Sequence, residues 1–469
     1  MIKDREFIVK YLKERNYWWD EQRIYDEDVG FIRGEYRPKL INELRYDRIL
    51  ALSGMRRTGK TTLLYQLMRY LLGSNTKTKH IVYIKVDELL DKFEDLRELI
   101  ALYEEMTGLD AKKEKIYFFL DEIQYKDGWQ FQLKHLLDAK YAGKFIITGS
   151  STSLLYKQAS ESLAGRITFV DVSAFSFRDF VEFSMVEKEL KITAMWHEWK
   201  ETISSNGLKN IEKRYEFLLP YREQMIYRFN EYLNIGGFPE WFKVKRQAGE
   251  NPELEWKRKL AEYFHIIIHR DVIETFKEKI RDPILIEKVA KEAAFFSSNR
   301  FSYSSLANRL DGNKDTVREY LYYLEASGLI SISEVYFKSK KAREKIEKKI
   351  YFCDEGLRRA LTVDYDDGKG VETIVNQHLL HIVRNSKTFG KLWYWKNGGE
   401  VDFILENEGR AIPIEVKYQE NPEVKGLLEC MERFDLKTGI VVTKNKFETR
   451  KEGKATIYQI PAWVFLLVF

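Results

Sequence analysis

A glycine-rich loop between an apolar run and a helical pattern constrains this fold more than any other feature. Residues 49–52 are apolar, residues 54–61 read GMRRTGKT, and apolar residues then recur at helical spacing over residues 63–71. Such a loop leads from a buried strand into a helix, and its backbone N–H groups converge on phosphate oxygens at the helix N-terminus. Further apolar runs alternate with helical patterns up to residue 172. The sequence therefore predicts an α/β core with a parallel sheet.

The side chains of this loop have separate expected roles. Gly54 and Gly59 bracket the turn, and Lys60 reaches the outer phosphates of a nucleotide. Thr61 supplies a hydroxyl ligand for Mg²⁺. Arg57 either contacts phosphate or lies in solvent, as loop arginines often do. We therefore expect ATP with Mg²⁺ at this loop.

Acidic and hydroxyl side chains follow two later apolar runs. Residues 116–120 lead into Asp121 and Glu122; Asp121 is expected to hold the Mg²⁺ shell and Glu122 to orient the attacking water, which implies hydrolysis. Residues 145–147 lead into TGSS, where Thr148 or Ser150 either lies beside the γ-phosphate or forms an ordinary hydroxyl-rich turn. The predicted nucleotide-binding set is Gly54, Arg57, Thr58, Gly59, Lys60, Thr61, Thr62, Asp121 and Thr148.

An arginine just before the next apolar run is a candidate for charge at the transition state. Arg166 follows Leu-Ala-Gly and precedes residues 167–172. We expect it to emerge near the same sheet edge as the loop and to act in cis or from a neighbouring subunit. A surface salt bridge is the alternative.

These motifs resemble the archaeal-type branch of the AAA+ P-loop ATPases. The resemblance is strong over residues 37–180 and includes LDEIQ at residues 120–124 and LAGR at residues 163–166. It implies ATP and Mg²⁺ as cofactors and an ATPase core over residues 46–178, after an N-terminal segment of residues 1–45. It also implies a helical lid and a winged helix. The chain departs from the common pattern in having Thr or Ser, rather than Asn, at the polar sensor position.

The middle of the chain has two helical patterns. Strand-like runs disappear over residues 179–280, which predicts a helical lid subdomain. Residues 281–345 read as helix, helix, tight turn, helix and two-stranded wing, the winged form of the helix-turn-helix. We expect this region to contact DNA, with packing between domains as the alternative. The expected contacts are Lys314, Thr316, Arg318 and Tyr322 on the third helix and Lys338, Lys340, Lys341 and Arg343 on the wing.

Acidic residues and a lysine recur at strand spacing near the end of the chain. Asp402 lies in one apolar run, and Glu415 and Lys417 lie two apart in the next. The three side chains meet if these strands form a hairpin. Glu372, in an amphipathic stretch upstream, joins them if that helix packs beside the sheet. Carboxylates so placed bind Mg²⁺ or Mn²⁺, and a lysine beside the metal activates water.

This constellation resembles the PD-(D/E)xK nuclease superfamily. The resemblance implies an α/β restriction-endonuclease-like domain over residues 346–469, with Glu372, Asp402 and Glu415 as metal ligands and Lys417 beside the nucleophile. The same domain often follows this branch of AAA+ ATPases. Val401 stands where many nucleases have Pro. Acids and lysines that alternate on solvated strands are the alternative.

Composition limits the remaining possibilities. The chain has 78 basic and 73 acidic residues and a net charge of +5, which permits DNA binding without arguing for it. Two cysteines in 469 residues favour a reducing cytoplasm, and no apolar run approaches the ~20 residues of a membrane span. His265 and His269 lie four apart on a helix, but the lack of a third ligand favours a packed helix over a metal site.

Together these features predict an α/β protein with a P-loop AAA+ core, a helical lid, a winged helix and a nuclease-like domain. The predicted function is Mg²⁺-dependent ATP hydrolysis on or with DNA, coupled to the carboxy-terminal domain. The alternative is a nucleotide-switched regulator that binds DNA or protein without cutting. The sequence leaves open whether the chain forms a homo-oligomer.

Overall fold

The computed structural model divides the chain into two compact units, residues 1–172 and residues 173–469. The structure describes residues 2–150, 162–185, 210–336, 346–362, 364–385, 389–407 and 410–469. It also describes the single residues Leu155, Ala159, Ile203, Leu208 and Arg343. None of the described helices combines the length and apolar character that crossing a membrane requires.

The first unit contains a five-stranded parallel sheet in the order β2-β3-β4-β1-β5, as the alternating pattern predicts. Its strands are β1 (Ile49–Ser53), β2 (Ile81–Lys85), β3 (Tyr117–Asp121), β4 (Lys144–Gly149) and β5 (Ile167–Asp171). Its helices are α1 (Arg5–Arg15), α2 (Trp18–Glu21), α3 (Asp26–Val29), α4 (Tyr36–Glu43), α5 (Lys60–Gly73), α6 (Leu96–Thr107) and α7 (Trp129–Asp138).

Helices cover both faces of this sheet because alternate strand residues point to opposite sides. Ile49 and Ala51 of β1 pack in one buried cluster with residues of α1, α6 and α7. Leu50 and Leu52 pack in a second cluster with α4 and with the apolar face of α5. All five residues of β1 are buried, so the loop that follows it starts from a rigid strand end.

Helices dominate the start of the second unit. They are α8 (Phe177–Met185), α9 (Ile211–Leu218), α10 (Arg222–Ile235), α11 (Trp241–Gln247), α12 (Pro252–Ile266) and a π-helix (Ile267–Ile273). The Gly-Gly turn lies between α10 and α11, where Asp354 Oδ2 accepts a 2.8 Å hydrogen bond from Gly237 N. A Cβ atom at Gly236, whose φ is +77°, would lie 2.1 Å from Asp354 Oδ1. This turn therefore requires glycine.

Three helices and a small sheet follow. The helices are α13 (Pro283–Phe295), α14 (Tyr303–Arg309) and α15 (Lys314–Ala326), and the antiparallel sheet has the order β6-β8-β7. Its strands are β6 (Arg300–Phe301), β7 (Ile330–Ser333) and β8 (Lys348–Phe352). The Asn313 side chain caps α15 by accepting from the backbone N–H groups of Asp315 and Thr316. The tight turn between α14 and α15 is thus fixed by its own sequence.

The chain ends in a six-stranded mixed sheet with the order β13-β14-β12-β11-β10-β9. Its strands are β9 (Phe389–Asn397), β10 (Gly399–Asn407), β11 (Arg410–Lys417), β12 (Thr438–Thr443), β13 (Glu448–Glu452) and β14 (Ala455–Pro461). The accompanying helices are α16 (Glu355–Leu361), α17 (Asp367–Asn385), α18 (Lys425–Arg433) and α19 (Ala462–Val468). Strands β10 and β11 form an antiparallel pair in which Phe403 lies opposite Ile414, so that Asp402 and Glu415 are the next residues on the two strands.

Candidate functional site

The loop after β1 turns through conformations that favour glycine. Gly54 has a φ of +154°, and a Cβ atom there would lie 2.1 Å from the carbonyl oxygen of Val172. Gly59 has a φ of +93° and immediately precedes α5. Arg57 is exposed and also has a positive φ, of +69°. The loop backbone thus curls around the N-terminus of α5, as a phosphate-binding loop does.

Lys60 is held inside this curl. It is 4% exposed, and its Nζ donates to the carbonyl oxygens of Gly54 at 2.8 Å and Met55 at 2.9 Å. The buried Thr58 hydroxyl donates to the same Met55 carbonyl at 2.9 Å. These bonds satisfy a buried ammonium whose charge lies at the mouth of the loop, where phosphate oxygens would be its natural counter-charge.

Asp121 is the centre of the polar contacts beside the loop. It is fully buried, and its Oδ2 accepts from Thr61 Oγ1 and from the Tyr83 hydroxyl, both at 2.8 Å. Its Oδ1 accepts from the Thr148 hydroxyl. Burial, followed by the nearby Asp121 charge, raises the pKa of the Tyr83 hydroxyl well above its ordinary value. Three hydroxyl donors therefore stabilise a buried carboxylate directly beside the threonine expected to bind Mg²⁺.

Glu122 is placed by the same network. Its backbone N–H donates to Thr148 Oγ1 at 2.9 Å, and its φ of +57° turns the chain sharply after β3. Gln124 donates to the Glu122 carboxylate and, at 3.0 Å, to Ser150 Oγ. Burial acts to raise the pKa of Glu122, but the charge of Lys60, the Gln124 hydrogen bond and further cations lower it overall. The carboxylate is therefore ionised at neutral pH and able to orient water.

Two contacts at the loop come from the N-terminal segment, and the sequence patterns did not indicate them. Arg33 is 3% exposed; its guanidinium lies 4.4 Å from the Tyr36 ring centroid and donates to the Thr58 carbonyl at 3.4 Å. Thr62, in the first turn of α5, lies beside Gly30, where an added Cβ atom would come within 3.3 Å of Thr62 Cγ2. Gly30 and Arg33 lie more than twenty residues before the loop, so a local pattern around the loop could not indicate these contacts.

Arg166 lies at the amino-terminal end of the parallel strands, whereas it was expected at the carboxy-terminal end, beside the phosphate-binding loop. Its carbonyl accepts from Ile49 N at the start of β1, whereas the phosphate-binding loop follows the end of that strand. Its guanidinium forms a 2.5 Å ion pair with Asp138, and the side chain is 47% exposed. The expectation of a shared edge is wrong because residues that precede a parallel strand lie at its amino end. A role in cis is therefore excluded by geometry.

The four residues predicted near the end of the chain are brought together, with two additions, Lys349 and Glu400. Asp402 and Glu415 lie on the neighbouring strands β10 and β11, and Lys417 Nζ lies 3.0 Å from Glu415 Oε1. Glu372, on α17, joins them through Lys349 of β8, which sequence reasoning missed. Lys349 Nζ lies 2.7 Å from Asp402 Oδ1, 3.0 Å from Glu372 Oε1 and 2.9 Å from Glu400 Oε1.

The carboxylates of this acidic cluster are buried, and their charges act strongly on one another. Asp402 Oδ2 accepts from Val416 N at 2.8 Å, so both of its oxygens have partners. Burial and the Asp402 charge raise the pKa of Glu372. Burial raises the pKa of Glu415 to about 7, and its buried Oε2 has no hydrogen-bond partner among the described residues. That oxygen is therefore available as a ligand for a cation.

The surface expected to contact DNA is only partly basic. On α15, Lys314, Arg318 and Tyr322 are exposed and Thr316 is half-buried, but Asp315 and Glu319 share the exposed surface. The expected wing residues Lys338, Lys340 and Lys341 lie outside the described residues.

Arg343 of the expected wing is already engaged. Its guanidinium pairs with Glu334 at 3.5 Å and lies 4.7 Å from the Trp393 ring centroid. Contact of this arginine with DNA therefore stays a prediction.

The sequence favoured a packed helix at His265 and His269 because it offered no third metal ligand, and the structure contradicts that premise. Glu287 of α13 lies beside His265 and His269, and one ligand atom of each residue lies within 4.8 Å of the others. Both histidines are exposed, so they are not packing residues.

The fold of the first unit and the contacts around the loop define a P-loop ATPase domain of the AAA type. The AAA domain family model matches residues 46–181. Two domains of unknown function, DUF8612 and DUF4143, match residues 226–367 and 367–463.

Full-length relatives place the chain in a family. It is 31% identical over 464 residues to the uncharacterized protein MJ1637 of Methanocaldococcus jannaschii, covering 96% of this chain and 90% of that protein. The chain therefore belongs to the same family as this archaeal protein. An uncharacterized protein of Haemophilus influenzae is 24% identical, with 91% of this chain and 97% of that protein covered. Among solved structures, the Walker-type ATPase PABY2304 of Pyrococcus abyssi is similar with 18% identity and a TM-score of 0.43, over 71% of this chain and 96% of that chain.

Proposed function

We propose that this protein is a Mg²⁺-dependent ATP hydrolase that acts with DNA and whose turnover controls its nuclease-like carboxy-terminal domain. The observation that carries the proposal is the hydrogen-bonded chain from Thr61 through Asp121 and Thr148 to Glu122. It joins the residue types needed for metal binding and for water activation in one rigid network.

Each member of this network has one task in hydrolysis. Lys60 neutralises charge on the outer phosphates, and Thr61 and Asp121 would hold Mg²⁺, which supplies charge stabilisation when bound. Glu122 orients the attacking water, and Thr148 fixes Glu122 and Asp121 relative to each other through its hydroxyl. Hydrolysis rather than simple binding is supported by the position of the Glu122 carboxylate, which Gln124 holds directly after Asp121.

Arg166 acts in this proposal on the nucleotide of a neighbouring copy of the chain. It lies at the edge of the sheet away from its own loop and is half exposed, so it is available to a second subunit. Its ion pair with Asp138 lies at the surface and is therefore weak, so a phosphate group could displace it. The proposal therefore includes a homo-oligomer whose subunits complete one another's sites.

DNA binding is proposed for the three-helix segment at residues 281–345. Its order of helix, strand, helix, helix and strand, with β8 of the same small sheet just beyond residue 345, resembles that of a winged helix, and α15 would be its recognition helix. Lys314 and Arg318 supply exposed positive charge on α15, and Tyr322 is 50% exposed. Phosphate contacts by these cations would make affinity fall with salt.

The acidic cluster supports a metal-dependent nuclease activity through its charge. Glu372, Asp402 and Glu415 carry −3 when ionised, against +2 from Lys349 and Lys417. Glu400 also pairs with Arg300 and Lys396. The remaining negative charge would attract a divalent cation. Glu372, Asp402 and Glu415 would hold Mg²⁺ or Mn²⁺, with the unpartnered Glu415 Oε2 as the first ligand, and Lys417 would support the nucleophile.

A second candidate, a regulator that binds without cutting, is favoured by Lys349. Its ammonium lies among Glu372, Glu400 and Asp402, where a metal would otherwise lie. In this case the nuclease-like fold serves binding, and the ATPase acts as a switch.

A cleavage assay separates the two candidates. Purified protein is incubated with single-stranded, double-stranded and branched DNA and Mg²⁺ or Mn²⁺, with and without ATP. The main proposal predicts cutting that Asp402→Ala and Glu415→Ala abolish while ATP turnover survives. Lys417→Ala should lose cutting but keep most metal binding, because an ammonium is not a ligand. Intact DNA under every condition, with ATP turnover retained, supports the regulator instead.

A further inference from the structure

Two histidines lie on one exposed face where α12 passes into the π-helix. His265 is in the last turn of α12 and His269 is in the π-helix, and their ring centroids are 4.3 Å apart. None of the ring nitrogens of these two histidines has a hydrogen-bond partner within the part of the chain that the structure describes. A single π-turn within a helix frequently marks a functional position.

Glu287 brings a carboxylate to the same place from α13. One ligand atom of each of His265, His269 and Glu287 lies within 4.8 Å of the other two. Lys291 Nζ holds Glu287 Oε1 at 2.7 Å, which leaves Oε2 for another partner.

We infer that His265, His269 and Glu287 form a binding site for a transition-metal dication such as Zn²⁺. Two imidazoles and one carboxylate are a ligand set that Zn²⁺ and its first-row neighbours prefer, whereas Mg²⁺ and Ca²⁺ prefer all-oxygen sets. The three donor atoms lie within 4.8 Å of one another, which is near the spacing that one ion with bonds of ~2.0–2.2 Å requires. A fourth position faces solvent.

Packing and ion pairing do not account for this arrangement. Helical spacing places the two imidazoles side by side, but both are exposed, so burial does not explain why Glu287 joins them from another helix. Lys291 already neutralises Glu287, so the carboxylate does not need the histidines as counter-charges. A bound dication would join the end of α12 and the π-helix to the second turn of α13, across residues 274–282. It would therefore restrain the helical part of the second unit against the three-helix segment that follows.

The test is a titration of full-length, nucleotide-free protein with Zn²⁺ by calorimetry, in excess Mg²⁺ to fill oxygen-rich sites. Co²⁺ absorption reports the same site through its ligand-field bands. His265→Asn, His269→Asn and Glu287→Gln are compared with wild type. The matched control is His135→Asn, an exposed histidine on α7. Circular dichroism checks that each variant is folded.

We expect wild type and His135→Asn to bind one Zn²⁺ equally well. Each site variant should bind at least ~10-fold more weakly, the smallest loss typical even of an outer-shell partner. Zn²⁺ should also raise the thermal midpoint of wild type and not that of His269→Asn. Equal Zn²⁺ affinity in wild type and all three site variants, or no Zn²⁺ binding by wild type, would overturn the inference.

Discussion

Replacing Lys349 by methionine removes a charge from among three carboxylates and keeps most of the side-chain volume. The ammonium is 2% exposed and lies 2.7–3.0 Å from its three carboxylate partners. Loss of one partner from a buried ion pair costs about 3–5 kcal/mol, because the remaining charges stay buried without compensation. We expect a loss of that size at neutral pH, a large share of the ~5–15 kcal/mol that stabilises a typical domain.

The deficit of Lys349→Met should depend on pH and on divalent metal. The acids take up protons when the ammonium is gone, so the difference from wild type should shrink as the pH falls. If the cluster is a metal site, Mg²⁺ can take the place of the ammonium. At a concentration 100-fold above its dissociation constant it would restore about 2.7 kcal/mol.

Scanning calorimetry with and without ATP measures this effect, because ATP identifies the transition of the first unit. The variant should lower the other transition. Lys396→Met is the matched control: this lysine is 36% exposed, lies 3.6 Å from Glu400, and should cost no more than about 1 kcal/mol. A Lys349→Met variant as stable as Lys396→Met at pH 7 would refute the charge coupling assigned to this cluster.

Three further predictions follow from single contacts. Burial raises the pKa of Glu415 from 4.5 to about 7. The protonated Glu415 carboxyl therefore stabilises the folded state fully below about pH 4.5, and this stabilisation is lost as the pH rises through about 7. Glu415→Gln should remove this pH dependence of the unfolding free energy, worth about 3 kcal/mol, when urea unfolding is measured across pH. Arg166→Ala should lower kcat far more than ATP affinity, and mixing it with Lys60→Ala subunits should restore turnover; an unchanged kcat would leave only the salt bridge. Lys314→Ala with Arg318→Ala should weaken binding of duplex DNA and reduce its salt slope by about two; an unchanged slope would contradict the proposed surface.

Local motifs predicted the ATPase core well. The loop, the strand before it and the helix after it are one continuous stretch, so the sequence itself specifies the geometry of Gly59, Lys60 and Thr61. Alternating runs likewise predicted the parallel sheet, because strand and helix periods differ. The edge at which Arg166 emerges was predicted wrongly, since that depends on strand direction relative to the loop rather than on nearness in sequence.

Contacts between distant segments were the ones missed. Lys349 lies 53 residues from Asp402, and a lysine at the end of a charged run has no local sign of burial. Tyr83 reaches Asp121 from a neighbouring strand, and Glu287 reaches His265 across a helix connection. Such pairs depend on strand order and helix packing, which hydrophobic periodicity does not encode.

The central claim is that Asp121 and Glu122 serve a hydrolytic nucleotide site, and ATP turnover measured beside ATP binding tests it most directly. Wild type, Lys60→Ala and Glu122→Gln are compared in saturating Mg²⁺. Lys60→Ala should lose turnover and bind ATP more weakly. Glu122→Gln should bind ATP as tightly as wild type and turn it over at least ~100-fold more slowly, since it loses only water activation. Hydrolysis by Glu122→Gln at the wild-type rate would contradict the account.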